Sequence, residues 1–233
     1  MEAKGLALEA IPQTVLKVIT RPADFFREMP KKGGFVEPLI FMVVLGTVSG
    51  LIQAVLSLLH LSVTVGVTAA LMSLVIMPVA TLIGGFIGAA IAFVIWKLMG
   101  SQEDYETAYR CCAYISAVSP ITTVLGVIPY LGSVLAVLIG TYYTVMASIE
   151  THKIPPKKAW TVFGIIAAVL ILFSLSAQFA ARRMAGETSK FRQEMMERSR
   201  EIQERSEEAQ KAAQKTSEEM KKQLEEMQRQ QQR

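Results

Sequence analysis

The residues that could perform catalysis or bind a metal are few in this sequence and poorly placed for it. Its two histidines, His60 and His152, lie near the ends of different apolar stretches. Its two cysteines, Cys111 and Cys112, are adjacent. Adjacent cysteines seldom form a disulfide with each other, and the sequence has no second cysteine pair that could complete a metal site. No His-Glu-x-x-His zinc motif and no glycine-rich phosphate loop is present. We therefore predict no catalytic, metal-binding or cofactor-binding residue and no enzymatic activity.

Arg110 is the one ionisable residue that we expect to enter an apolar segment. A charge in the middle of a bilayer costs about 3 kcal/mol on insertion scales, so such residues are candidates for function. Glu106 lies four residues earlier, at the spacing of an ion pair on one helix face. Arg110 can also reach the interface with its long side chain. Glu106 and Arg110 are thus predicted as either a structural contact at the interface or a functional one.

The apolar stretches around these residues indicate membrane-spanning helices. Hydrophobic residues make up 52% of the chain, and no Asp, Glu, Lys or Arg occurs at 38–96, 111–149 or 159–181. About 20 apolar residues in a helix cross the roughly 30 Å of bilayer hydrocarbon. The sequence therefore predicts an all-α fold, a polytopic bundle of about five transmembrane helices within residues 38–181. The predicted spans are 39–59, 70–96, 105–125, 130–149 and 159–181.

Small residues at four-residue spacing predict where these helices pack. Gly46 and Gly50 lie in the first span, and Gly84 and Gly88 lie in the second. Glycines at this spacing allow two helix backbones to approach closely. We predict that both pairs are helix-packing positions.

A basic amphipathic segment within residues 1–37 precedes the first span. Its apolar positions follow a near-helical spacing, and Pro22 divides it into two short helices. Such a segment can lie in the lipid headgroup region, or it can pack on the protein's own cytoplasmic face. The residues predicted to contact the membrane surface are Lys17, Arg21, Arg27, Lys31 and Lys32.

Basic residues of the short loops predict the orientation. They lie in the N-terminal segment and in the loops near Lys97 and Lys153, whereas the turn at 126–130 has none. Basic loops remain in the cytoplasm, so the N-terminus is predicted to be cytoplasmic. Five spans would place the C-terminal tail outside, and one re-entrant segment would place it in the cytoplasm.

The tail, residues 182–233, has the composition of a long charged helix. Its sparse apolar residues Phe191, Ile202, Ala213 and Leu224 recur every eleven positions. Such a repeat is typical of a nearly straight coiled coil. The tail is either a solvated single helix or a coiled coil that binds a second copy of the chain or another protein.

Short motifs in a fixed order extend over residues 15 to 178. They are Thr20-Arg21-Pro22, Phe25-Phe26, Gly33-Gly34-Phe35, Pro38, Pro78, Ala108-Tyr109-Arg110 with Tyr114, Ile128-Pro129, Gly132 and His152. In this order they resemble prokaryotic members of the Yip domain family, the Ypt-interacting proteins. The resemblance implies a five-span bundle with a cytoplasmic N-terminus and no catalytic residues. The Asp-Leu-Tyr-Gly-Pro type motif of the eukaryotic members, which bind Rab-type GTPases, is absent here.

These observations predict a non-enzymatic integral membrane protein that acts by interaction, scaffolding or membrane organisation. The alternative is a small transporter or channel subunit with a polar path near Gln53, Arg110 and Ser119. The lipid bilayer is the predicted partner, and a net charge of only +4 gives no support for nucleic-acid binding. The predicted location is the cytoplasmic membrane of a prokaryote.

Overall fold

A computed structural model describes residues 10–59 and 67–231, and in those ranges the secondary structure is helical, without strands. This confirms the all-α prediction. The chain divides after Ser176 into two compact units. The helices are α1 (Ile11–Thr20), α2 (Pro22–Glu28), α3 (Val36–Leu58), α4 (Val67–Leu98), α5 (Tyr105–Ile115), α6 (Ser119–Leu125), α7 (Leu131–Glu150) and α8 (Pro156–Gln231).

Four helical segments of the described part are long and apolar enough to cross a membrane. They are Val36–Leu58, Leu71–Leu98, Leu131–Glu150 and Pro156–Ala181. On α4, side chains such as Ile83, Ile87 and Ile91 are more than half exposed. A continuous apolar surface of this kind is unfavourable in water and suits lipid. The chain is a multi-pass membrane protein.

Residues 105–125 do not form the single continuous helix that the sequence predicts. It consists of the short helices α5 and α6, joined by a 3₁₀ turn at Ser116–Val118. Pro120 lies in the first turn of α6, where its missing N–H is tolerated, whereas inside a continuous helix it would remove a hydrogen bond. The break explains why this segment is not among the four long helices.

The broken segment nevertheless extends from one end of the bundle to the other. Asp104, which precedes α5, pairs with Lys32 before the first long helix. Thr123, near the end of α6, lines a cavity together with Gln53, which lies late in α3. The third predicted span is therefore a discontinuous segment that lies along the bundle, and its crossing of the membrane stays a prediction.

The N-terminal helices α1 and α2 pack on the bundle. Val18 and Phe26 are fully buried. The Tyr143 hydroxyl donates a hydrogen bond to the Ile19 carbonyl (3.1 Å), and the Thr151 hydroxyl donates one to the Phe26 carbonyl (2.8 Å). The aromatic side chain of Phe26 is thus part of the protein core.

The second unit consists of the C-terminal part of α8. Of the four apolar residues that recur every eleven positions, only Ile202 has a described side chain, and it is 69% exposed. The side chains of Phe191, Ala213 and Leu224 lie outside the described residues. Coiled-coil formation by the tail therefore stays a prediction.

Candidate functional site

Charged side chains from three parts of the chain meet at one end of the bundle. Lys31 Nζ lies 2.6 Å from Glu103 Oε1, and Lys32 pairs with Asp104. Arg27 Nε lies 2.9 Å from Glu150 Oε2 at the end of α7. We call this region, residues 27–37, 99–107 and 150–158, the end face. It ties the N-terminal segment to two loops that lie far from it in sequence.

Arg110 lies directly beneath the end face and is only 1% exposed. Its Nη1 donates to the Gly34 carbonyl (2.9 Å), and its Nη2 donates to Glu37 Oε2 (3.1 Å). The Gly34 N–H donates to Glu106 Oε1 (2.7 Å). The helical pair predicted between Glu106 and Arg110 is therefore replaced by a shared contact, in which both residues bind the backbone of Gly34.

This contact requires an unusual backbone at the two glycines. Gly33 has φ +137° and Gly34 has φ +82°, a region that side chains with a Cβ rarely adopt. A Cβ added at Gly33 would also lie 3.4 Å from Arg110 Nη1. The Gly33-Gly34 pair thus turns the chain so that a carbonyl points at the guanidinium.

Asp104 connects the end face to α5. It is the N-cap residue of that helix, and its Oδ1 accepts a hydrogen bond from the Thr107 N–H (3.0 Å). Its other oxygen accepts from Lys32. The hydrogen bond from Lys32, supported by Thr107, lowers the pKa of Asp104 to about 2. Asp104 is therefore a stable anion that holds the N-terminal segment and starts the helix carrying Arg110.

His152 lies in a buried pocket beside the end face. Its ring stacks on Trp96 with centroids 3.9 Å apart, and its Nδ1 lies 2.8 Å from the Ser101 hydroxyl. Burial, followed by the charges of Lys31 and Lys97, lowers the pKa of His152 to about 3. The ring is therefore neutral near pH 7, and its contacts join the loop after α4 to the loop after α7.

Four of the five basic residues predicted to contact the membrane have carboxylate partners. Besides Arg27, Lys31 and Lys32, Lys17 pairs with Glu28 at 2.7 Å. For Arg21, the described residues provide no carboxylate within ion-pair distance. Contact of this set with lipid stays a prediction.

The predicted packing glycines lie in two different environments. A Cβ at Gly46 would lie 2.8 Å from Thr81 Oγ1, and a Cβ at Gly50 would lie 2.9 Å from the Ser73 carbonyl oxygen. Both positions are close contacts of α3 with α4. A Cβ at Gly84 or Gly88 would meet no described atom within 4 Å. A packing role for Gly84 and Gly88 therefore stays a prediction.

The residues of the predicted polar path make different contacts in the described part of the chain. Gln53 lines a cavity of about 240 Å³ with Thr122 and Thr123. The Ser119 hydroxyl lies 2.9 Å from the Ser49 hydroxyl, and Arg110 is bound to Glu37. Ser119 and Arg110 thus have local partners, while Gln53 faces a separate cavity.

Sequence reasoning missed Glu37, Glu150 and Ser101 as partners. A signal existed for Glu37, which is the last charged residue before the first span, just as Arg110 is the last charged residue before the uncharged stretch 111–149. Opposite charges at the same depth of neighbouring helices are natural partners. No comparable signal in the sequence connects Glu150 to Arg27, which lies 123 positions away.

In the part of the chain that the structure describes, no group of three or more His, Cys, Asp or Glu side chains could hold a metal ion. At the end face, ion pairs instead connect separate segments of the chain.

The family model described as Yip1 domain matches residues 16–178, more than half of the chain. Comparisons with curated proteins and with solved structures found no match.

Proposed function

The chain belongs to the Yip1 domain family, and from this membership we propose that it is a non-enzymatic scaffold of the membrane whose end face binds another protein. Its multi-pass helices fit a membrane-associated role of this kind. The proposed location is the cytoplasmic membrane of a prokaryote, with the N-terminus and the end face in the cytoplasm. The tail and the bilayer would provide further contacts.

The observation that carries this proposal is the organisation of the end face. Ion pairs from the N-terminal segment reach three separate elements, and Arg110 supports them from below. The outer members stay accessible to other molecules, because the side chain of Lys32 is 73% exposed and that of Glu37 is 66% exposed. A defined charged surface at the end of a bundle is suited to recognition of a protein.

Photo-crosslinking in native membranes tests this role. A photoreactive residue replaces Gln102, which is exposed within the end face, and a second variant carries it at Leu172, which is 67% exposed. We expect discrete protein adducts from position 102 and lipid adducts from position 172. Lys31→Glu should weaken the adducts at position 102, and Lys31→Glu with Glu103→Lys should restore them, because the pair is then reversed. Lipid adducts alone at position 102 would contradict the proposal.

The transporter alternative is favoured only by the cavity at Gln53, Thr122 and Thr123, which provides polar groups near the opposite end of the bundle. Solute or ion flux into vesicles containing the purified chain would support it. Under this alternative Arg110→Gln abolishes flux, whereas under the scaffold proposal the vesicles show no flux above protein-free vesicles.

A further inference from the structure

Most charged groups of the first unit are already engaged with each other. All carboxylates from Asp24 to Glu150 in the described residues contact a basic side chain or a backbone N–H. The residues are Asp24, Glu28, Glu37, Glu103, Asp104, Glu106 and Glu150. Their basic partners belong mainly to the N-terminal segment, whose positive charge is therefore largely balanced within the chain.

Four exposed lysines have no such partner in the described part of the chain, and we call them the lysine patch. They are Lys97, Lys153, Lys157 and Lys158. They lie at the end of α4, in the loop after α7 and at the start of α8, and these parts of the chain are in contact. The Lys158 Nζ donates to the Met99 carbonyl (2.8 Å), and the Ser101 hydroxyl bonds to His152, which directly precedes Lys153.

The lysine patch lies at the level where lipid headgroups are found. Lys97 is in the last turn of the apolar segment Leu71–Leu98, and Lys157 is in the first turn of the segment Pro156–Ala181. Trp160, one turn further into α8, is 46% exposed. Exposed tryptophan is enriched at the boundary between headgroups and acyl chains. Leu98 is 81% exposed, so the surface changes from charged to apolar within a few residues.

The start of α8 makes the positive potential stronger. Its first turn contains lysines and no acidic residue, although the N-terminus of a helix has a partial positive charge that favours acidic groups. Two lysines at this position are unfavourable for the isolated helix. An anion at this position would relieve the repulsion among the lysines and between them and the helix end.

We propose that the lysine patch, three of whose members belong to the 150–158 part of the end face, binds the phosphate headgroup of anionic lipids in the adjacent leaflet. In the N-terminal segment, for which the sequence predicts this contact, four of the five basic residues are held by carboxylates of the described residues and Arg21 alone is not. The interaction therefore falls to the four clustered lysines that lack such partners. Lysines close to an anionic lipid surface are attracted to it, and the attraction weakens as salt screens it. The loops are fixed by the His152 and Met99 contacts, so the lysines are held close together before lipid binds.

The test measures lipid selectivity by electron paramagnetic resonance. The full chain is reconstituted in phosphatidylcholine bilayers that contain spin-labelled phosphatidylglycerol, and the fraction of motionally restricted label is compared with that of labelled phosphatidylcholine. We expect a several-fold preference for the anionic lipid that decreases at high salt. Lys97→Gln with Lys157→Gln should lower this preference by at least half, since neither side chain has an ion pair within the described residues and Lys97 lies over the Phe93 ring (5.6 Å).

The matched control removes the same charge from the paired set. Lys17→Gln with Lys32→Gln should keep the preference, because these lysines are bound to Glu28 and Asp104. An equal loss in both double variants would reflect net charge alone and would overturn the proposal, as would an unchanged preference in Lys97→Gln with Lys157→Gln. Loss of the preference when inorganic phosphate is added at constant ionic strength would identify the free anion as the ligand and would also overturn it. Unchanged elution of each variant in detergent establishes that the comparison concerns folded protein.

Discussion

Arg110 shows how a single charged residue can be accommodated near a membrane. The side chain is buried. Its Nη1 donates to the Gly34 carbonyl and its Nη2 to Glu37, whose own side chain is largely exposed, whereas its Nε has no hydrogen-bond partner among the described residues. The arginine thus fixes the turn before α3 and places its charge at the water-facing end of the bundle. Its position was evident from the sequence, whereas its partner was not, because the nearby Glu106 was the more obvious candidate.

Replacing Arg110 with Gln should lower the stability of the folded chain. The variant loses two charge-assisted hydrogen bonds, which contribute about 1.5 to 3 kcal/mol when the donor is charged. Glu37→Gln should cost less than about 1 kcal/mol, because Glu37 is exposed to solvent. The midpoint of unfolding in SDS, measured on purified protein in mixed micelles, checks both values. A larger effect for Glu37→Gln than for Arg110→Gln would contradict this interpretation.

His152 should make stability depend on pH. In the unfolded chain its pKa is near 6.5, and in the folded chain burial lowers that pKa to about 3. The unfolded state therefore binds more protons between these values, and the folded state loses stability as the pH falls below about 6.5, by at most about 1.4 kcal/mol per pH unit.

His152→Gln should remove most of this dependence between pH 7 and pH 5. Asp104 does not contribute in this range, because its pKa is lowered to about 2 and its stabilising effect is lost only below its ordinary value of 3.8. Thermal unfolding of both proteins at several pH values checks the prediction. Parallel pH profiles for His152→Gln and the original chain would show that another group is responsible.

At the level of elements, the sequence predicted long helices well and the broken one poorly. The apolar runs that form α3, α4 and α7 were evident because they lack charge throughout. Residues 105–125 also lack charge after Arg110, so they were predicted to be continuous. Pro120 and the serines around it were the available signal, since a proline begins a helix more readily than it continues one.

Gly50 should be the most sensitive packing position between α3 and α4. A methyl group there meets the Ser73 backbone oxygen at 2.9 Å, and a backbone atom cannot move without shifting the helix. We expect Gly50→Ala to destabilise the bundle by about 1 to 3 kcal/mol. Gly84→Ala is the matched control, because the added methyl group meets no described atom. Equal SDS unfolding midpoints for Gly50→Ala and Gly84→Ala would contradict the packing geometry.

At the scale of the whole molecule, the first unit separates its charged groups from its polar cavity. The end face and the lysine patch lie at one end, and the cavity at Gln53 lies toward the other. The family match over residues 16–178 covers this arrangement. The apolar pattern predicted the helices, but contacts such as Arg27 with Glu150 depend on how the elements meet in space. No local pattern contains that information.

Accessibility of single cysteines to a membrane-impermeant maleimide tests the arrangement most directly. Cysteine is introduced at Ile128, in the turn between α6 and α7, or at Lys153 in the end face, and both positions are exposed. The native Cys111 and Cys112 are replaced with Ala to remove background labelling. In intact cells we expect labelling at position 128 and labelling at position 153 only after permeabilisation. Equal labelling of both positions from one side would show that α7, which separates them, does not cross the membrane, and would contradict an arrangement in which the turn before α7 lies opposite the end face.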